Sequence, residues 1–420
     1  MPISEDVLVI GGGLSGGAAA LAAAETGASV RLVSHKESTL RHASGLIDVL
    51  GYRPHSREPI ADPFDALDDL PDDHPYSVVG RSAVREGLAL FDEIAGDEYA
   101  GEHTDANALV PTHGGSVKPT ARYPQSVAAG LASDERAMLL VGFESLPDFD
   151  APVAAEHLAA TGIPCETAGA TIPFPRDFRD DAKITRFARA LRDESGTRQA
   201  LANAVEPHLN NSERVGFPAL LGDDKRANVR GELESHLGVP VFEVPGGPPS
   251  LPGLRLEDQL FEALDEAGVH ISTGNPVVGY ETEDEGIPDR IASVLVDRNG
   301  QQVPYHASQF VLATGGLVGK GIDTDRTGVR EPIFDCYVPH PDDRYDWFVD
   351  DAFGDHPFAR FGVVPDDELR PVDTDAVPEF ENLRAAGSVL GGADIAAEKS
   401  GSGVSLATGR LAGRNAGEAI

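Results

Sequence analysis

Val7-Leu8-Val9-Ile10-Gly11-Gly12-Gly13-Leu14-Ser15-Gly16 opens the informative part of this chain, and an Ala-rich stretch to Thr26 follows it. Four apolar residues before a glycine run read as a buried strand over 6–10, and 15–26 reads as the helix behind the turn. Gly27 stops that helix and 28–34 supplies a second strand, so the chain begins as a βαβ unit. The first backbone N–H groups of a helix have no partner inside it and carry partial positive charge. Gly11, Gly13, Leu14, Ser15 and Gly16 are therefore candidates to cradle a phosphate. The second strand ends in Ser34, where dinucleotide sites usually place an acidic residue for the adenosine ribose. His35 and Lys36 stand beside it as candidate phosphate contacts, and Glu37 is the one carboxylate near enough to fold back.

Two later segments extend the pattern. Phe310-Val311-Leu312-Ala313-Thr314-Gly315-Gly316 reads as a strand ending in small residues, with Thr314 and Gly315 at its mouth. Leu383 to Gly392 reads as another short strand and turn, with Gly387 and Ser388 as candidate contacts. Gly401-Ser402-Gly403-Val404 then starts a helix running to about Ala419. The positive end of that helix, at Ser402, Gly403 and Val404, suits a ring that becomes electron-rich on reduction, such as a flavin. Ser44 and Gly45 lie in the small-residue loop Ala43-Ser44-Gly45-Leu46-Ile47-Asp48 just after the second strand, flanked by His42.

Between about 80 and 245 the pattern changes to helices, expected at 81–99, 124–136 and 181–195, with short strands and proline turns between them. The expected organisation is a cofactor domain in pieces at 1–78, 251–322 and 378–420. An inserted substrate or partner domain takes 79–250, and 323–377 returns to it or forms a cap. The fold class is α/β, a Rossmann-like FAD/NAD(P)-binding three-layer flavoprotein fold with that insertion.

Composition narrows the class of function. The 420 residues include 69 acidic and 34 basic side chains, a formal charge of −35, and lysine occurs only at positions 36, 118, 183, 225, 320 and 399. An acidic, lysine-poor surface suits molar salt, where the Debye length falls to about 3 Å and self-repulsion is screened. A halophilic cytoplasm is the expected setting. Nucleic acid is excluded as a partner by the lack of any basic stripe. Cys165 and Cys336 are the only cysteines. They cannot ligate an iron–sulfur cluster by themselves, and they form no CxxC pair. No leader is expected, and no apolar run reaches membrane-spanning length.

These segments together resemble the flavoproteins whose cofactor domain is split by an inserted domain. More narrowly, the chain resembles the B-subunit family of the anaerobic glycerol-3-phosphate dehydrogenases. The resemblance rests on Ala43 to Asp48, Lys118-Pro119-Thr120, Pro248-Pro249-Ser250-Leu251-Pro252-Gly253-Leu254-Arg255-Leu256, Ala386 to Gly392 and Lys399 to Val404. It runs over essentially the whole chain and is weaker in the middle, where the acidic stretches near 62–73 and 342–355 lack equally clear counterparts.

The resemblance implies work beside two partners: an A-subunit, catalytic and FAD-containing, and a C-subunit, cysteine-rich and iron–sulfur-bearing. It implies oxidation of glycerol 3-phosphate to dihydroxyacetone phosphate, with electrons passed toward quinone. It also implies FMN in the B-subunit. Ser34 points the same way, because FMN ends at its phosphate and has no adenosine ribose to hold; FAD is the alternative. Alcohol oxidation needs a base and a cationic site for the substrate phosphate. His113, Lys118, Arg122 and His340 are the candidates. A flavin relay or structural subunit, and a stand-alone flavin oxidoreductase, are the competing readings. Contact with the cell membrane is expected only through partner subunits, because an acidic surface is repelled by anionic lipid.

Overall fold

The computed structural model describes residues 3–36, 38–179, 182–222, 228–247, 250–283 and 289–420. Two compact units emerge, the first comprising Met1–Thr39, Asp48–Ala95 and Asp258–Ile420, the second Leu40–Ile47 and Gly96–Glu257.

In the first unit the strands are β1 (Ile3–Ile10), β2 (Val30–Ser34), β3 (His270–Thr273), β4 (Val277–Thr282), β5 (Ile291–Arg298), β6 (Gln301–Leu312) and β7 (Leu383–Ala385). Its main helices are α1 (Leu14–Glu25), α2 (Pro75–Ala95), α3 (Leu251–Glu266, begun in the second unit) and α4 (Gly401–Glu418). One sheet runs in the order β3-β2-β1-β6-β5-β4, and β7 pairs with the end of β6. β1 is parallel to β2 and β6, in register Ile10↔Val33 and Ile10↔Leu312. Val7, Leu8 and Val9 are wholly buried, as a central parallel strand covered on both faces requires. β6 is longer than its apolar end suggests because its first half pairs antiparallel with β5, from Arg298↔Gln301 to Ser293↔His306. The expected α/β flavoprotein class with an insertion is the one observed.

α1 and α4 close on each other through small residues. Gly409, Gly413 and Gly417 recur every fourth residue and so share a face of α4. A Cβ on Gly409 would stand 2.4 Å from the Ser15 carbonyl oxygen, and one on Gly413 2.0 Å from that of Ala19. α2 meets α4 in the same way, since a Cβ on Gly87 would lie 2.7 Å from the Ala407 nitrogen. All of α2 therefore belongs to the first unit, whereas the sequence boundary at 79 assigned most of it to the insertion. Residues 323–377 likewise fall in the first unit.

The second unit carries its own parallel sheet, in the order Val241–Val244, Arg214–Pro218, Met138–Phe143, Thr167–Ile172. Its sides divide by alternation. Leu139, Val141 and Phe143 join Phe187, Leu201 and Phe217 in one apolar cluster. Met138 and Leu140 join Leu158, Phe242 and Val244 in the other. The helix expected over 124–136 is absent; a strand at Tyr123–Pro124 and one 3₁₀ turn at Ala128–Gly130 stand there. The cause is buried Arg214, whose guanidinium donates to the carbonyls of Ala129 (3.1 Å), Leu131 (2.8 Å) and Asp134 (2.7 Å). Carbonyls aimed at one guanidinium cannot run along a helix axis. The expected helix at 181–195 forms as Ile184–Asp193, and a second, Ser195–Val205, follows it; Asp181 lies outside the described residues.

The segments that carry the family resemblance pack backbone to backbone here. Gly45 has φ +75°, and a Cβ on it would lie 2.6 Å from that of Pro252. A Cβ on Gly253 would lie 2.2 Å from the Leu40 carbonyl oxygen. Pro248 and Pro249 lie outside the described residues.

Gly413→Ala should destabilise the fold by about 1–3 kcal/mol through overpacking of α1 on α4. Gly196→Ala, where a Cβ meets nothing within 4 Å, should be neutral or slightly stabilising in the same thermal-unfolding measurement.

Candidate functional site

The turn after β1 is held between the ends of two neighbouring strands. The Gly11 N–H donates to Val33 O at 2.8 Å, and the Ala313 N–H donates to Ile10 O at 2.8 Å. Gly11 takes φ +123°, and a Cβ on it would stand 2.1 Å from the Ala313 oxygen, so glycine is required twice over. α1 then begins at Leu14 with Gly13 as N-cap and no side chain capping it. A Cβ on Gly13 would meet only Thr39 Oγ1, at 4.0 Å. Its outer side is a cavity of about 660 Å³ within the first unit, lined by Gly11–Ser15, Ser34–Lys36, Asn275–Val278, Thr314, Gly315, Val318–Lys320, Ser388 and Ser405 among others.

Two features fit this cavity to an anionic cofactor. The Ser15 and Thr314 hydroxyls are buried without a hydrogen-bond partner, and both residues line it. A buried hydroxyl left unpaired costs about 1–3 kcal/mol, which a bound group with acceptors or donors relieves. The titratable residues on the wall are His35, Lys36 and Lys320, with no carboxylate among the described lining residues. In a chain with 69 acidic side chains that exclusion favours a negatively charged occupant.

Behind the wall formed by Pro332 and Ile333, the Glu331 carboxylate is fully buried and accepts the N–H groups of Ile333 (2.9 Å) and Phe334 (2.6 Å). Burial pushes its pKa up from 4.5 to about 7 despite those bonds.

The start of α4 differs from the expectation of a free positive end. Its Ser402 N–H donates to Asp48 Oδ1 at 2.9 Å. A Cβ on Gly403 would stand 2.2 Å from Tyr76 Oη. Ser402, Gly403 and Val404 are not among the residues lining the cavity, and Ser405 represents this helix there. Gly387 also stands back from it, with φ +78° and its N–H donated to Thr408 Oγ1 at 2.8 Å. Beneath the loop before α4 lies a buried network that sequence reading missed. The Tyr76 N–H donates to His74 Nδ1 (3.0 Å), so His74 Nε2 carries the proton and donates to Glu398 Oε2 (3.1 Å). Ser400 Oγ donates to the same carboxylate oxygen at 3.1 Å, and Tyr76 Oη donates to Val49 O at 2.6 Å. Burial, with Asp48 and Glu398 nearby, holds the Tyr76 hydroxyl protonated.

The catalytic candidates are dispersed. His113, Lys118 and Arg122 belong to the second unit and His340 to the first. His113 is exposed and Lys118 sits on the hairpin of Ala108–Pro111 with Val117–Thr120. Arg122 is buried, its Nη1 donating to Gly101 O (3.0 Å) and Ala121 O (3.1 Å). His340 donates from Nδ1 to Val338 O (2.7 Å) and accepts the Val329 N–H at Nε2 (3.4 Å). Ser44 and Gly45 also lie in the second unit, where Gly45 O accepts from the Tyr99 hydroxyl at 2.8 Å. Among the described residues no cluster could hold a metal ion.

Comparison with known proteins adds two findings. Residues 6–404 match the FAD binding domain family. The chain is 60% identical to the probable anaerobic glycerol-3-phosphate dehydrogenase B-subunit of Halobacterium salinarum, covering 100% of this chain and 99% of that one. It is 32% identical to the corresponding B-subunit of Yersinia pseudotuberculosis (96% and 95%) and 31% identical to that of Vibrio cholerae (96% and 94%).

The FAD binding domain match overturns the expectation of FMN. The argument from Ser34 failed because it counted side chains alone. Ser34 Oγ donates to Lys36 O at 2.8 Å and shapes the loop, and the cavity continues past it to Asn275–Val278, which leaves room for an adenosine half. Glu37 lies outside the described residues.

Asp is a favourable N-cap residue, so Gly13→Asp should fold while its carboxylate repels the cofactor phosphates; flavin affinity should fall roughly tenfold or more in a titration of apoprotein. Glu331 favours its protonated form in the folded state, so its contribution to stability is full below about 4.5 and is lost as pH rises through about 7. Glu331→Gln should flatten that part of the urea-midpoint profile; an unchanged slope would contradict the assignment.

Proposed function

The chain belongs to the B-subunit family of the anaerobic glycerol-3-phosphate dehydrogenases, and we propose that its first unit holds FAD in the cavity at the head of α1 while the second unit serves substrate or partner subunits. It is a flavin subunit of that enzyme complex. The observation that carries the cofactor assignment is the carboxylate-free cavity wall at an uncapped helix start. Backbone N–H groups at Gly13, Leu14 and Ser15 would take the diphosphate. Ser34, His35 and Lys36 would flank the adenosine half, and Thr314, Gly315 and Ser388 the ring. FAD, when bound, supplies a hydride acceptor that can release electrons one at a time.

In this reading the complex oxidises glycerol 3-phosphate to dihydroxyacetone phosphate and delivers electrons to quinone. His113 and Lys118 are kept as contacts that the second unit would offer to a phosphorylated substrate. His340 is left out because a backbone carbonyl and an N–H engage both ring nitrogens, and Arg122 because it is buried with Nη1 donating to two carbonyls. The cavity wall itself offers no carboxylate base, which supports a division of labour with a second, FAD-containing partner. Both cysteines are buried and unpaired, so an iron–sulfur centre on the electron path belongs to a third chain. No helix among the described residues is long and apolar enough to cross a membrane, which agrees with attachment through partners.

The test is the assembled complex in molar salt. Flavin released from this chain should have the mass of FAD, and glycerol 3-phosphate should bleach the flavin absorbance. A complex built with the Gly13→Asp chain should lose roughly tenfold or more of its quinone reduction; full activity without flavin in this chain would overturn the proposal.

A further inference from the structure

Exposed aromatic residues are concentrated on one segment of the first unit. Tyr345 is 65% exposed, Phe348 47%, Phe353 90% and Phe358 40%, with Val349 beside them at 42%. Single exposed apolar residues are ordinary, but a cluster on so acidic a surface is not. The segment is anchored from beneath. Trp347 donates from Nε1 to Pro341 O at 2.7 Å and packs edge-on to His340 and Phe361 at 5.8 and 6.0 Å. The Val349 N–H donates to His356 Nδ1 at 3.1 Å, and Asp355 pairs with His55 (3.0 Å) and Arg360. Trp347 therefore holds the strap while its neighbours face outward.

We infer that the strap from Asp342 to Phe358 is a docking surface for a partner subunit whose contact face is an apolar recess rimmed by arginine or lysine. The inference rests on the reading of this chain as one member of a complex. Asp342, Asp343, Asp346, Asp350 and Asp351 are all exposed on the same segment and set the charge of the complementary rim. A second copy or an anionic lipid would set like charges against these carboxylates at contact, within the roughly 3 Å that molar salt leaves unscreened, with no cation to pair them. Aromatic anchors inside a charged rim are the arrangement by which protein interfaces concentrate affinity and select partners. None of the strap's rings lines the cavity at the head of α1, so cofactor binding does not account for them.

The test uses the full chain co-expressed with the other two subunits, comparing wild type with the triple variant Tyr345→Ser, Phe348→Ser, Phe353→Ser. All three side chains are exposed, so flavin content and melting temperature should hold while recovery of partner subunits falls roughly tenfold or more. Asp346→Asn with Asp350→Asn should lower partner recovery through lost contact-range ion pairs, without changing flavin content. Unchanged partner recovery overturns the inference. So does loss of flavin along with the partner, which would assign the rings to the fold. A wild-type dimer abolished by the triple variant overturns it in favour of a second copy, and variant-sensitive binding to phosphatidylglycerol vesicles in favour of lipid. Wild-type chain that recovers neither partner fails earlier, by overturning the reading of a complex on which the inference rests.

Discussion

A Cβ on Gly11 would stand 2.1 Å from the Ala313 oxygen, and one on Gly16 would stand 1.9 Å from the oxygen of Gly11. The ends of β1 and β6 and the start of α1 are thus in backbone contact, and other glycines close on the same point. Cβ atoms on Gly387 and Gly409 would lie 2.7 Å from the Ser15 Cβ and 2.4 Å from its carbonyl oxygen. Ser15 is consequently held by two close approaches while its hydroxyl stays unpartnered at the cavity. Preorganisation of this kind spares a ligand the cost of ordering the groups that receive it.

Charge is distributed to protect that site. Several acidic residues that do enter the interior are tied down locally. Glu243 takes Arg255 in a two-bond fork (2.7 and 3.1 Å) and the Leu221 N–H at 2.7 Å. Glu398 takes His74 and Ser400, and Asp48 takes the first turn of α4. Glu331 differs from these: burial makes it hard to ionise despite the backbone N–H groups that hold it. The remaining excess of carboxylates is left to the surface, away from the cavity wall.

The fold of the first unit was largely legible because its signals are local: apolar strands, a glycine turn, and a closing helix preceded by small residues. The parallel sheet of the second unit was not, since its strands are four to six residues long and apolar alternation there serves two cores. Long-range side chains defeated the rest. Nothing near residues 124–136 announces that Arg214 will claim their carbonyls, and nothing near Ser402 announces that Asp48 will cap it. Ser34 misled for a related reason, because a missing carboxylate says little where the chain itself can supply polar groups. His340 drew notice as a base and turned out to brace Trp347.

The α1–α4 seam joins segments almost four hundred residues apart in the chain. At synthesis rates of about 5–20 residues per second, α1 waits on the order of 20–80 s before α4 exists to cover it. Apart from Leu14 and Leu21, its buried apolar side chains are the methyl groups of Ala18 to Ala20, Ala22 and Ala23, which carry little adhesive area meanwhile. The second unit, whose own sheet is complete by Val244, reaches its last strand well before that moment. Small side chains in the seam thus leave the waiting helix with less apolar area to expose than a leucine-rich face would.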